Sequence, residues 1–392
     1  MKTIQYLLLA IILLLTSCTE DKVGSCRVNI RLLPPENYAA LSLEQFTVTL
    51  TNQSHGASYK SRCSADGFAS FNVEYGYYTV SAYCQTASGL IFSGRIENIS
   101  LLPGEADIPD RIELQLNRSE TNALVIKEIY YAGCIGRLGE EYQSDQYVTL
   151  YNNSNEIIYL DSLCIAIVDP AGSVESPWMK YTDMNRIPVN DLAWQFPGTG
   201  KDHPLAPGAE TTVATNAVNH TGGEYQHSNS IDLSGVDWGF WDLSLKRQDI
   251  QAGVTPLKLI SKLNPNTTMY SFPTMNPTLI VFKLQNISAE EYVNNPDNRE
   301  IRPQSIPQSR QYLMIPKEWV IDCVECVSDV GQVTNKRVPN ELNHTPAYIS
   351  EGTYSGKSLV RKKMVEAEGR VVYQDTNNAS DDFEVTTPLL KN

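Results

Sequence analysis

Cysteines, histidines, tryptophans and carboxylates are the residues here whose chemistry depends most on spacing. Cys323-Val324-Glu325-Cys326 has the spacing of a zinc knuckle or a redox pair. A tetrahedral zinc site would need two more ligands, and His344 is the one histidine nearby in sequence. The pair therefore reads as a disulfide-bearing turn. A thioredoxin-like role would need a βαβ setting, which the strand-rich surroundings do not offer. His203, His220 and His227 share a polar stretch with Asp202 and Glu224, where neutral imidazoles could hold a transition metal. No two of them lie at the i, i+2 or i, i+4 intervals that put ligands on one face, so the stretch reads as a solvated loop with no metal.

The adjacent acids Glu140-Glu141, Glu290-Glu291 and Asp381-Asp382 make poor acid/base pairs. Glycosidic hydrolysis needs two carboxyls facing each other across a cleft. Asp375, Asn377, Asn378, Asp381 and Asp382 could supply oxygens to one calcium ion, though a plain loop explains them equally well. No Gly-x-Ser-x-Gly elbow, Walker loop or His-Glu-x-x-His stretch occurs. The expectation is a protein that binds and does not catalyse, with no cofactor. Trp238-Gly239-Phe240-Trp241-Asp242 is the densest aromatic patch. Trp238, Phe240 and Trp241 are thus the candidate ligand-binding residues, able to stack on sugars, peptides or flat ligands. The competing reading is a plug for the core.

The elements that must position these residues are strands. Leu124 to Tyr131, Tyr147 to Tyr151, Ile157 to Leu160 and Leu163 to Val168 are rich in β-branched and aromatic residues, with a turn over Asn152 to Glu156. Further strands are expected at Arg27–Leu32, Gln45–Thr51, Gly67–Val73, Gly76–Cys84 and Arg111–Leu116. Tyr78, Val80 and Ala82 alternate so that they can face a core together. The fold class is all-β, with two β-sandwich domains. They span residues 26–116 and 123–392, joined by a polar linker at 117–122. The second domain carries long insertions near 173–201 and 230–330, beyond ordinary loop lengths, and these hold all five tryptophans.

The formal charge of −14 repels phosphates, and the densest basic cluster, Arg361-Lys362-Lys363, sits inside an expected strand. Nucleic acid is set aside as a partner. Lys2, the apolar run Ile4 to Leu15 and Thr16-Ser17 before Cys18 have the anatomy of a secretory leader over residues 1–17, with a core too short to span a membrane. Leu15-Thr16-Ser17-Cys18 resembles the lipobox of bacterial lipoproteins, which implies a lipidated Cys18 as the first mature residue. Its acyl chains would hold the protein on a membrane, with residues 18–25 as tether. Seven cysteines then remain, an odd number. In an oxidising envelope Cys63 and Cys84, in strands of one small domain, are the expected disulfide, and Cys164 is the expected buried free thiol.

Thr19-Glu20-Asp21 resembles the acidic export tag of Bacteroidota lipoproteins carried to the cell surface; the alternative is a tether facing the periplasm. Gly67-Phe68-Ala69-Ser70-Phe71 followed by Gly76 to Ala82 resembles the carboxypeptidase-regulatory and prealbumin-like sandwiches. Val125 to Tyr130, Gln146 to Ser154 and Ile158 to Leu163 resemble the first three strands of a lamin tail domain, an immunoglobulin-like sandwich. Leu205-Ala206-Pro207-Gly208, Gly356 to Lys362 and Asp375 to Phe383 resemble its middle turn, closing strand and final loop. Together these resemble a group of Bacteroidota surface lipoproteins with a lamin-tail-like domain of unknown function. The resemblance implies an outer-membrane location and a TonB-dependent transporter as partner, and it supplies no catalytic residues. An extracellular ligand-binding accessory is the leading expectation. The alternatives are an envelope hydrolase acting on glycan, peptide or phosphodiester and a structural or adhesive lipoprotein.

Overall fold

Alternation shapes the first sheet. In Thr47–Asn52 the side chains of Val48, Leu50 and Asn52 are buried, and they lie opposite Ala82, Val80 and Tyr78 of the antiparallel strand Gly76–Gln85. Cross-strand pairs on one face make one wall of a core. The computed structural model describes residues 24–391 except 36–37, 56, 86–90, 104–110, 120–122, 173 and 368–369. The leader, Cys18 and Thr19-Glu20-Asp21 lie outside the described residues. The chain divides into two units, residues 1–120 and 121–392.

In the first unit a five-stranded sheet runs in the order Ser58–Arg62, Thr47–Asn52, Gly76–Gln85, Ile91–Leu101, Asn117–Ser119. A three-stranded sheet of Phe68–Glu74, Ser25–Leu33 and Arg111–Gln115 packs on it, burying Val28, Ile30 and Leu32 against Val48, Leu50, Val80 and Phe92. The polar run Asn117–Ser119, expected as linker, is instead an edge strand paired with Ile91–Ser93.

The second unit is a sandwich of two larger sheets. The first runs Thr255–Pro256, Trp238–Gly239, Glu210–Ala214, Tyr147–Asn152, Leu124–Tyr130, Ser358–Arg361, Phe383–Thr386. The second runs Arg299–Ile301, Gln311–Pro316, Arg186–Gln195, Leu163–Val168, Thr278–Lys283, Val320–Glu325, with Lys258–Lys262 also paired to Arg186–Gln195. The segments expected as insertions are therefore structural, since they supply most strands of this second sheet. The run Ile157–Leu160 yields only the two-residue strand Ile158–Tyr159, and Leu163–Val168 joins the other sheet.

Leu163–Val168 is buried throughout because the second sheet is covered on both faces. Leu163, Ile165 and Ile167 face the central core with Leu150, Val213 and Leu359. Cys164, Ala166 and Val168 face an outer cluster closed by Trp178, Tyr292 and Val293, of which Trp178 sits on the helix Pro177–Tyr181 and the other two on the helix Ala289–Asn294. Cys164 is a fully buried free thiol, pushed up to about 12 by burial.

One buried acid ties the loop between 197 and 203 to the sandwich. Asp161 accepts hydrogen bonds from the backbone N–H groups of Gly200, Asp202 and His203 at 2.9 to 3.0 Å. Gly198 sits beside it at φ +131°, where a Cβ would stand 2.0 Å from the Asp161 carboxylate. Burial alone would raise the Asp161 carboxyl, but the three donors outweigh it and hold the group down at about 2. A carboxyl held below its ordinary value stabilises the fold above that value and loses the contribution as pH falls through 2. Asp161→Asn should cost about 2 kcal/mol at pH 7, read from urea unfolding. The gap between variant and wild type should shrink as the pH is lowered from 4 towards 2.

Candidate functional site

Trp238, Phe240 and Trp241 do not form an exposed patch. Trp238 is 5 % exposed and Phe240 fully buried, both in the central core. Trp238–Gly239 is a short strand lying parallel to Val213-Ala214 on one side and Thr255-Pro256 on the other. Alternation then turns residues 238 and 240 to the same inner face. Phe240 packs at 5.6 Å from Trp194, 4.9 Å from Tyr270 and 5.9 Å from Phe272 between ring centroids. The Trp238 indole N–H donates to Thr211 Oγ1 at 3.1 Å, and that of half-buried Trp241 donates to the Gln248 carbonyl at 3.2 Å. The core-plug reading replaces the ligand-stacking one.

The expected disulfides are replaced by free thiols at Cys63, Cys84, Cys323 and Cys326. Cys63 donates its N–H to the Phe46 carbonyl, and the strands Ser58–Arg62 and Gly76–Gln85 pair on opposite sides of Thr47–Asn52. Cys63 and Cys84 thus stand about two strand spacings apart, ~9.5 Å, beyond the ~7 Å that a disulfide spans. Cys323 faces the outer cluster while Cys326 faces the central core, because extended residues three apart point to opposite faces.

The histidine stretch converges on one tyrosine. The Tyr142 hydroxyl lies 2.6 Å from His220 Nδ1, and His220 Nε2 lies 2.8 Å from the Asn216 carbonyl. The carbonyl can only accept, so Nε2 carries the proton and Nδ1 accepts from the tyrosine. His227 stacks on Tyr142 at 3.9 Å. His203 lies elsewhere, edge-on to Trp238 at 4.9 Å. Burial lowers the pKa of His220 and keeps it neutral.

The acids near the C-terminus do not gather around an open site. Arg361 binds Asp322 at 2.7 Å, Asp375 at 3.0 Å and Asp382 at 3.6 Å, all buried. Asp382 also accepts from the backbone of Thr376 and Asn378. The calcium reading of this loop gives way to a carboxylate cluster around one guanidinium. Glu325 is held by Lys336 and Arg337, and Asp169 by Arg302 and the Trp178 indole.

A depression in the second unit unites several polar groups that the sequence reading passed over. Ala166 pairs with Ala193 and Val168 with Val189, so Asn190, Asp191 and Leu192 bulge opposite the single residue Ile167. A bulge re-aims side chains that a regular ladder would hold flat. Here Asp191 reaches out to accept from the Asn264 N–H at 2.8 Å and the Thr267 hydroxyl at 2.6 Å. Two glutamines hold the far wall in place of a neighbouring strand. Gln248 accepts from Tyr270 N–H at 2.7 Å and donates to its carbonyl at 3.0 Å. Gln146 does the same for Phe272 at 2.7 and 2.9 Å. Phe272 points into the core, while Tyr270, whose ring packs on Trp194 and Phe240, and Ser271 line a depression of about 110 Å³ with Asn190, Asp191 and Thr267. The buried Tyr270 hydroxyl, on the same wall, has no hydrogen-bond partner among the described residues. One sequence signal was available: Asn190-Asp191 interrupts the apolar run from Ile187 to Trp194 with adjacent polar residues, which a regular strand with a buried face would not accept.

Residues 206–389 match a family model described as a protein of unknown function, DUF4876. A crystal structure of a DUF4876 family protein from Bacteroides thetaiotaomicron VPI-5482 is similar over 91 % of this chain and 94 % of its own, with 26 % identity and a TM-score of 0.62. A candidate adhesin from Bacteroides ovatus ATCC 8483 matches over 69 % of this chain and 84 % of its own, at 11 % identity and a TM-score of 0.20, which carries no argument. No curated protein matches the chain. The DUF4876 match takes in Gln248, Thr267, Tyr270 and Ser271, whereas Asn190, Asp191 and Gln146 precede it.

Proposed function

We propose that this is a lipid-anchored, surface-exposed outer-membrane protein that binds an extracellular ligand without turning it over, as an accessory to a TonB-dependent transporter. The leader of residues 1–17, the Cys18 that follows it and the acidic residues after that support the location, and the transporter rests on the resemblance to lamin-tail-like surface lipoproteins. The observation that carries the binding reading is the depression at the bulge. Its lining donates and accepts hydrogen bonds, while its one carboxylate is already engaged by Asn264 and Thr267. That arrangement suits holding a polar group better than moving a proton.

Three measurements on cells and on purified protein test the proposal. An alkynyl fatty-acid analogue should label the chain through Cys18, and protease added to intact cells should remove it. Crosslinking in intact outer membranes should co-purify a TonB-dependent transporter. An unlabelled chain, or turnover of glycan, peptide or phosphodiester by the purified protein, would overturn the reading.

A further inference from the structure

We infer that the depression between Asn190-Asp191 and Thr267–Ser271 is a recognition site for a neutral polyhydroxylated group, the size of one edge of a sugar ring. This rests on the binding role proposed above and names its ligand class. Three independent features converge on it. The bulge aims Asn190 and Asp191 out of the second sheet. The glutamine brackets fix the segment carrying Tyr270 and Ser271 without any strand beside it. The Tyr270 hydroxyl is buried with no partner among the described residues, although buried polar groups are almost always hydrogen-bonded.

The volume and the lining choose the chemistry. About 110 Å³ is the space of roughly four water molecules, enough for two adjacent hydroxyls and their carbons. Asn190 can both donate and accept, the Ser271 and Tyr270 hydroxyls can do either, and the Asp191 oxygens retain lone pairs beyond those used by Asn264 and Thr267. Vicinal hydroxyls, each a donor and an acceptor, complement such a mixed set. An anion would meet Asp191 with no cation lining the depression, inside a chain of formal charge −14. Burial, and after it the Asp191 carboxylate, pushes the Tyr270 phenol above its ordinary range, so it stays a neutral donor.

The test uses the full mature chain and ligand-observed saturation-transfer NMR. The probes are methyl glycosides of glucose, galactose and mannose, with sodium glucuronate and methylammonium chloride as charged comparators. At least one neutral glycoside should bind in preference to both comparators. Tyr270→Phe and Asn190→Ala should each weaken it by about tenfold, the loss of one good hydrogen bond. Tyr270→Phe should leave the melting temperature unchanged or higher, because it removes a hydroxyl that nothing in the fold satisfies. Preference for glucuronate or methylammonium, no binding of any glycoside, or variants that bind like wild type would each overturn the inference. Those failures leave surface labelling and transporter capture untouched, so they are distinguishable from failure of the broader reading.

Discussion

Arg361→Met should lower the unfolding free energy by about 3–5 kcal/mol, the cost of stranding buried charges without their partner. Arg361 is 1 % exposed and pairs with all three acids at once. It also donates to the carbonyls of Ile126 and Gln374 at 2.8 and 3.0 Å. Asp322 lies on the second sheet, Arg361 and Ile126 on the first, and Asp375 and Asp382 flank the final loop. One guanidinium therefore clasps the two sheets and the closing loop at a single point. Burial pushes Asp322 and Asp382 up despite the arginine beside them. A carboxyl raised in the folded state binds its proton more tightly there than in the unfolded chain, so its contribution falls as pH rises through the raised value. Without Arg361 the shift should grow, and Arg361→Met should lose stability between pH 5 and pH 8 more steeply than wild type. Urea unfolding across that range is the measurement. A loss below 1 kcal/mol would mean that the cluster is solvated in the native protein.

Phe240→Ala should cost about 3–5 kcal/mol, and Trp241→Ala, on the half-buried side of the same motif, less than about 1 kcal/mol. The contrast follows from alternation along one short strand. Phe240 fills a space bounded by Trp194, Tyr270 and Phe272, and neighbours held by the glutamine brackets cannot collapse into the cavity it would leave. The surface-stacking reading of this motif requires the reverse, with both variants stable and ligand retention lost. Thermal unfolding of the two variants side by side decides between them.

The sequence carried strand identity further than strand placement. Tyr78, Val80 and Ala82 alternate with polar neighbours, and all three are buried on one face as that pattern requires. In Leu163–Val168 every residue is apolar or nearly so, which marks a strand covered on both faces without saying by what. The cover comes from the nearby helix Pro177–Tyr181 and from elements far along the chain such as Ala289–Asn294, and the segments around them read as insertions. Trp238-Gly239-Phe240-Trp241 shows the same limit, since an aromatic run looks alike whether it is covered or bare. The disulfides failed for a geometric reason: pairing order put Phe46 between Cys63 and Cys84, and order is a non-local property. Arg361 lies 39 residues from Asp322 and 14 from Asp375, and beside Lys362 and Lys363 it reads only as part of a basic cluster in a strand. The depression depends on a register shift at Asn190–Leu192, visible in sequence only as two misplaced polar residues.

The long segments belong to the sandwich core, supplying most strands of its second sheet. Native-state hydrogen exchange, followed at the backbone amides of Phe240, Tyr270 and Phe272, tests that most directly. These amides donate to the Ala214 carbonyl, to Gln248 and to Gln146. The expected result is exchange only through global unfolding, with the same free energy and denaturant dependence as the strand Leu124–Tyr130. Fast exchange through local opening, with Leu124–Tyr130 still protected, would contradict the account and return these aromatics to a mobile surface.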